Sequence, residues 1–437
     1  MVNSGDSRNT AHSDGANPSG LTPWSFAPET ACIPEEEYVE LEVIDLSEFR
    51  QYDSEASGIP LSPDEARAQE KLIERARDAL RSVGFVAMRG HGLNAQDIQH
   101  QFDLARLLNV DVPEEEKRRL HARIAEEGSW AGYKPCGYYN RPDGSYDNIE
   151  VCILHFISWK SNNLTDMNKP KHYDLYPFTA LKSRLPEVAR PYLDDIRQFM
   201  EHNHYSILRR LLAVISLGVG LDREALWNLH HRDGLCNDGA LQGGPDEEIK
   251  WQHSKDHLRY ALYHPRSDED RRQLNGKGLV IPGHTDLGSV TFLYSQPVAG
   301  LQLLTSRDEW RFVKHYPDHI IVDLGDSMEF LTGGVLKASP HRVIEPPEDQ
   351  RHLDRLGVFY FVPFLPDVKL LPIDHPSLQE MGAKDAFEEY YQLGGQPLSS
   401  NEWLVFKSKL VGTRRVKRGN REPVDVLEDI HFRYNSS

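Results

Sequence analysis

Between residues 278 and 364 the apolar positions fall into short runs separated by Gly, Asp and Pro. Residues 278–282 (Gly-Leu-Val-Ile-Pro) are one such run, and 289–294 (Ser-Val-Thr-Phe-Leu-Tyr) is a β-branched and aromatic one. Further runs cover 301–304, 310–313, 319–324, 328–331, 341–344 and 356–362. These residue types fit a pleated, half-buried surface, so each run is expected to be a strand. Many short strands in series suggest a jelly roll or a related closed β-barrel, whose interior can gather ligands from distant parts of the chain.

Elsewhere the pattern takes a helical period. Residues 63–81 read as an amphipathic helix with Ser62 as N-cap and Gly84 as its stop. Residues 94–110 predict a second helix, and Pro113 opens a third through a charged run that reads as a solvated face. Ile196, Met200, Ile207, Leu211 and Val214 lie near helical spacing and predict a long supporting helix over 189–219, outside the barrel. Further helices are expected around 384–393 and 401–410. The fold class is therefore mainly β with flanking helices, built on a double-stranded β-helix (jelly-roll) core. The expected organisation is a flexible Ser/Gly/Asn/Pro-rich tail over 1–35, a mixed α/β region over 36–250 that is part of the same fold, the barrel core over 251–365, and a helical segment with a basic tail over 366–437.

Composition narrows the function. Lys+Arg 50 against Asp+Glu 67 gives a net charge of −17, which argues against nucleic acid as a partner. The cluster Arg414, Arg415, Lys417, Arg418 and Arg421 is a local exception and reads as a solvated tail. No apolar run is long enough to span a membrane. Cys32, Cys136, Cys152 and Cys236 form no CxxC pair, and the first residues lack an apolar stretch. A reduced, cytoplasmic setting is expected.

The candidate chemistry is concentrated at His284-Thr285-Asp286, followed fifty-five residues later by His341 and fourteen further on by Arg355. His-x-Asp by itself says little. It occurs five times, also as His12/Asp14, His172/Asp174, His231/Asp233 and His352/Asp354. Only His284 stands between two strand-like runs. Positions i and i+2 of an extended segment share a side, so His284 and Asp286 can share a metal while Thr285 points away. With His341 they make a 2-His-1-carboxylate triad, which leaves one face of Fe(II) open for O₂ and a co-substrate. Arg355 adds a permanently charged fork suited to a carboxylate. His202 and His204 do not share a helical face, and His253 and His257 lack a carboxylate partner, so neither pair is assigned a metal.

Several motifs carry a resemblance. The run His284-Thr-Asp-Leu-Gly-Ser-Val-Thr-Phe-Leu, then Gly300-Leu-Gln-Leu, Val322-Asp-Leu-Gly-Asp-Ser-Met-Glu-Phe-Leu-Thr-Gly-Gly334 and Lys337-Ala-Ser-Pro-His-Arg-Val343 resemble the isopenicillin N synthase-like family of 2-oxoglutarate/Fe(II) oxygenases. Val43-Ile-Asp-Leu-Ser47 and the stretch 84–93 match its opening strands, so the resemblance runs over roughly residues 40 to 365. It implies that His284, Asp286 and His341 bind iron, and that Arg355, helped by Tyr263, binds the distal carboxylate of 2-oxoglutarate. Where the family has Arg-x-Ser, this chain has Arg355-Leu356-Gly357 and lacks the hydroxyl. In the family the region of Tyr138, Tyr139 and Arg141 lies near the mouth of the pocket, which makes them candidate substrate contacts, and Phe361 matches an aromatic that often faces substrate.

The implied activity is oxidation of a C–H bond in a small organic molecule such as a natural-product intermediate, by hydroxylation, desaturation or oxidative cyclisation, with release of succinate and CO₂. The carboxylate at Asp286, where related halogenases carry a small residue, argues against halogenation. Two alternatives stay open at this point: an Fe(II)/O₂ oxidase that dispenses with 2-oxoglutarate, and a non-catalytic jelly-roll binding protein. No pattern in the chain specifies an oligomeric state.

Overall fold

The computed structural model describes residues 20–50, 61–122, 132–138, 147–155, 186–231, 256–273, 278–410 and 421–432. Besides a set of helices, the described residues form thirteen strands. They are β1 (Tyr38–Val39), β2 (Val43–Asp45), β3 (Phe85–Arg89), β4 (Gly132–Lys134), β5 (Ile149–His155), β6 (His257–Tyr263), β7 (Leu279–His284), β8 (Val290–Tyr294), β9 (Leu301–Leu304), β10 (Trp310–Val313), β11 (Ile320–Leu324), β12 (His341–Ile344) and β13 (Arg355–Val362). One sheet has the order β1-β10-β9-β12-β7, the other β2-β3-β11-β8-β13-β6-β5-β4. Strands from both sides of residue 251 share the larger sheet.

Alternation along the strands divides the core in two. Phe85, Ala87, Ile149, Val151, Ile153, Ala261, Tyr263, Val280, Leu301, Leu303, Ile321 and Val343 pack between the two sheets. The opposite face of the large sheet, with Val86, Met88, Leu258, Tyr260, Phe292, Val322, Val358 and Tyr360, packs under the helices. This is the period-2 pattern of strands buried on both faces.

The helix Pro63–Ser82 has Ser62 as its cap in a full capping box with Glu65, and Gly84 (φ +73°) turns the chain into β3. Asn94 caps Ala95–Val110 in the same way, whereas Pro113 sits at the cap of Glu114–Arg119. The long helix is segmented. A 3₁₀ turn (Glu187–Tyr192) leads into Leu193–Glu201, a π segment (His202–Leu208) and Arg209–Gly218. The π segment fits the use made of its side chains: His204 meets Asp256 at 2.8 Å, both fully buried, and Asn203 accepts from the Tyr294 hydroxyl.

One expectation is corrected. Residues 328–331 are not a strand but the end of the helix Asp326–Leu331. A short apolar run cannot by itself distinguish the two. Here the backbone amides of Asp326 and Ser327 are used at a helix start, donating to the Asp286 and Gly288 carbonyls. After β13 the chain forms the helices Pro376–Glu380, Glu388–Gln392, Ser400–Leu410 and Pro423–Phe432, so the expected helix over 384–393 is shorter than the pattern suggested.

Candidate metal and co-substrate site

The triad meets because of strand register. His341, the first residue of β12, lies directly across from His284, the last of β7. Their rings are 4.4 Å apart between centroids. Asp286 follows two residues later, and its Oδ1 stands 3.8 Å from Nε2 of each histidine. The three side chains can offer ligand atoms that all lie within 4.8 Å of one another.

Hydrogen bonds fix which atoms face inward. Nδ1 of His284 donates to the Pro282 carbonyl at 2.8 Å, and Nδ1 of His341 to the Ser339 carbonyl at 3.2 Å. Both Nε2 lone pairs are thereby turned towards Asp286, as a metal needs. The Thr291 hydroxyl, from the opposite sheet, donates to Asp286 Oδ2 and leaves Oδ1 for the shared centre. Burial, with the neighbouring His341 adding to it, lowers the His284 imidazole to about 3, so it is neutral at physiological pH. Burial alone would raise Asp286, but the His341 and His284 rings and Thr291 hold it below the ordinary carboxylate value. The side chain of His284 is 32% exposed against 14% for Asp286 and 12% for His341, so the site opens on the His284 side. The donor set fits Fe(II).

Arg355 opens β13, paired across from Tyr263 on β6. Its guanidinium lies 4.8 Å from the centre of the Tyr263 ring, and its Nε donates to the Val298 carbonyl at 3.2 Å. Nη1 is buried and has no hydrogen-bond partner among the described residues. A buried cationic donor left unpaired is costly, and a carboxylate would satisfy it. Burial lowers the guanidinium pKa and raises that of the Tyr263 hydroxyl. Arginine nonetheless keeps its charge.

Gly357 lies on the same face as Arg355, two residues along β13. A Cβ built there would stand 2.4 Å from Cε2 of Phe359 and 2.9 Å from its Cζ. The Phe359 ring therefore fills the space above Gly357 on the inner face of the strand.

Of the other candidates, Phe361 lies half-buried on β13, stacked on His257 at 4.9 Å with the Arg259 guanidinium 4.2 Å from its ring centre. Its register partner on β8 is Thr291, the residue that orients Asp286. His257 begins a strand, so the helical spacing of His253 and His257 does not apply to it; residue 253 lies outside the described residues. Tyr138 is half-buried in a turn, while Tyr139 and Arg141 also lie outside the described residues.

The sequence reading missed three charged groups behind the triad. Asp323, on β11, is buried with its Oδ2 3.6 Å from His341 Nδ1. Burial, then Asp286 and Asp326, push its carboxyl well above the usual range, towards the neutral acid. Asp326 and Lys407 form a buried ion pair behind the loop that carries Asp286. The available signal was a lone charge on an otherwise buried face: Asp323 within Ile-Ile-Val-Asp-Leu, and Lys407 at helical spacing from the buried Trp403 and Ser400.

Known proteins resemble this chain in sequence and in fold. A family model described as the 2OG-Fe(II) oxygenase superfamily matches residues 255–362. One described as the N-terminal part of non-haem dioxygenases in morphine synthesis matches 41–171, and the two together span more than half of the chain. A UPF0676 protein of Schizosaccharomyces pombe is 25% identical over 340 residues, 76% of this chain and 86% of its own length. A 2-oxoglutarate-dependent dioxygenase of Gibberella zeae is 31% identical over 179 residues, 41% of this chain and 46% of that protein. The crystal structure of a full-length Neurospora crassa protein in complex with alpha-KG and thymine has the same fold, with a TM-score of 0.60 at 15% identity over 87% of this chain and 100% of that one.

Proposed function

Because this chain belongs to the 2-oxoglutarate/Fe(II) oxygenase superfamily, we propose that His284, Asp286 and His341 hold its iron and that Arg355, with Tyr263, anchors its 2-oxoglutarate. The protein is a 2-oxoglutarate-dependent dioxygenase with a jelly-roll core. The observation that carries the site assignment is the pair of Nε2 atoms, each 3.8 Å from one carboxylate oxygen and each aimed by a carbonyl behind it.

Bound Fe(II) with 2-oxoglutarate and O₂ supplies the oxidising power for attack on a substrate C–H bond, with succinate and CO₂ as co-products. The chain's part is placement and exclusion of water. His284 and His341 turn Nε2 towards the shared centre, because Nδ1 of each is held by a backbone carbonyl. Asp286 contributes one negative charge, and Thr291 keeps its second oxygen turned away. Arg355 offers its unpaired Nη1 to the far carboxylate of the co-substrate, and Tyr263 forms the wall beneath that guanidinium.

The substrate we propose is a small organic molecule entering on the His284 side and packing on Phe361, with Tyr138 as a further candidate contact. The thymine in the Neurospora crassa complex is a molecule of that size class. The acidic balance of the chain supports a substrate other than nucleic acid. No helix among the described residues is long and apolar enough to cross a membrane. The free thiols Cys32, Cys136 and Cys152 support a reducing cytoplasmic setting.

The test is anaerobic addition of Fe(II), then 2-oxoglutarate, with the visible spectrum recorded. A metal-to-ligand charge-transfer band is expected in the wild type. It should vanish in His284→Ala and require far more 2-oxoglutarate in Arg355→Ala. Iron binding with no such band would remove Arg355 from its role. Unchanged iron binding in His284→Ala would remove the triad.

A further inference from the structure

The loop that carries Asp286 has four consecutive backbone carbonyls, and each is met by a donor from outside the loop. The Asp286 carbonyl accepts from the Asp326 amide at 2.9 Å and that of Gly288 from the Ser327 amide at 3.0 Å, while the Leu287 carbonyl accepts from the Ser327 hydroxyl at 2.9 Å. These donors come from the start of the helix Asp326–Leu331, within the barrel core. The Thr285 carbonyl, between the two ligands on this segment, is met differently. It accepts at 2.7 Å from Nζ of Lys407, on the helix Ser400–Leu410.

Lys407 is buried, as is its partner Asp326, with side chains 4% and 9% exposed. An ammonium group has three protons to donate, and here three acceptors surround it. They are the Thr285 carbonyl at 2.7 Å, the Thr285 hydroxyl at 2.9 Å and Asp326 Oδ2 at 2.5 Å. Trp403, one turn earlier, donates its indole N–H to the same Asp326 oxygen at 3.2 Å. This helix lies beyond both segments matched by the family models. Lys407 thus ties together the residue between two ligands, the helix start that holds the rest of the loop, and a separate C-terminal element.

We propose that Lys407 is a positioning residue for the metal centre, which it serves by fixing the peptide between His284 and Asp286 through the Thr285 carbonyl. The inference rests on the assignment of His284, Asp286 and His341 as iron ligands. Groups that orient ligands from behind typically contribute about 10–100-fold to metal affinity. If Lys407 only stabilised the fold through its ion pair, removing either partner of that pair would have the same effect on the metal.

The experiment compares Lys407→Met with Asp326→Asn in the full-length chain. Fe(II) affinity is measured anaerobically by competition with a chromophoric chelator, and the d–d spectrum is recorded with Co(II) at saturation. Thermal unfolding of the metal-free proteins is followed alongside. Lys407→Met should bind Fe(II) about 10–100-fold more weakly and show shifted Co(II) bands. Asp326→Asn leaves Nζ free to keep donating to Thr285. It should lose thermal stability while keeping the Co(II) spectrum and Fe(II) affinity within about threefold of wild type. Lys407→Gln carries the test if the Met variant does not fold. Its amide can serve one of the three acceptors, so its affinity should fall between the other two.

The proposal is overturned if Lys407→Met, or Lys407→Gln in its place, matches wild type in affinity and spectrum. It is equally overturned if affinity falls in step with thermal stability in both the Lys407 and Asp326 variants. Failure of the wild type itself to bind Fe(II) would instead overturn the triad.

Discussion

Replacing Gly357 by Ser would restore the residue of the wider family, and it should fail to help. The added Cβ falls 2.4 Å from Phe359 Cε2, well inside normal carbon contact. A shift of that ring disturbs its stacking on Phe361, with centroids 5.9 Å apart, and Phe361 is in turn stacked on His257. Overpacking of this kind costs about 1–3 kcal/mol, whereas the new hydroxyl could contribute one hydrogen bond of about 0.5–1.5 kcal/mol. The steric cost wins. Gly357→Ser should lose about 1–3 kcal/mol of stability in denaturant titrations, with 2-oxoglutarate affinity unchanged or weaker. Pairing it with Phe359→Leu removes the rigid ring. The double variant should then bind 2-oxoglutarate roughly 2–12-fold more tightly than Phe359→Leu alone, the equivalent of that one hydrogen bond. Affinity is read from the charge-transfer band in anaerobic titrations. Gly357→Ser with wild-type stability and tighter 2-oxoglutarate binding would refute the steric argument.

Three other outcomes are expected. His341→Ala should abolish iron-dependent turnover and the charge-transfer band, measured with the protein shown to be folded by circular dichroism. Thr291→Val keeps the size of the side chain but removes the hydroxyl that helps hold Asp286 below its ordinary value. Fe(II) binding should weaken about 10–100-fold, by chelator competition, with little change in unfolding temperature. His230 is buried, with Nδ1 donating to the Leu226 carbonyl and Nε2 2.6 Å from Oγ of Ser289, whose hydroxyl donates to the Val362 carbonyl, and burial lowers its pKa to about 4. The folded state therefore favours the neutral ring. Its contribution is complete above the ordinary value of 6.5 and is lost as pH falls from there to about 4. The loss, about 3 kcal/mol, should appear in unfolding free energies over that window and be absent in His230→Asn.

The grouping of His284, Asp286 and His341 was legible in the chain because its two determinants are local. One is the period of an extended strand, which puts His284 and Asp286 on one side. The other is the flanking β-branched runs, which distinguish this His-x-Asp from four others. Register did the rest, since His341 lies directly opposite His284. The misread run 328–331 shows where local pattern stops. Met-Glu-Phe-Leu suits strand or helix, and the deciding fact is the set of carbonyls at Asp286 and Gly288 that need donors. Asp323 and Lys407 were missed because a charged residue acquires its role here only from partners far along the chain, 407 from 285 and 323 from 341. The absence of a Ser at 357 was visible in the sequence, but its cause was not. Only the fold places the Phe359 ring over that position.

The link between Thr285 and Lys407 also sets an order of assembly during synthesis. A ribosome making this chain delivers all three ligand residues by position 341 and reaches Lys407 only afterwards. At 5–20 residues per second that interval is roughly 3–13 s. Residues 342–362 complete β12 and β13 early in that interval, and until it ends the Thr285 carbonyl lacks its donor. Metal captured during translation would meet a looser loop than metal captured after release. On the proposed assignment the metal centre is therefore among the last parts of the molecule to mature, although its three side chains are complete well before the chain is.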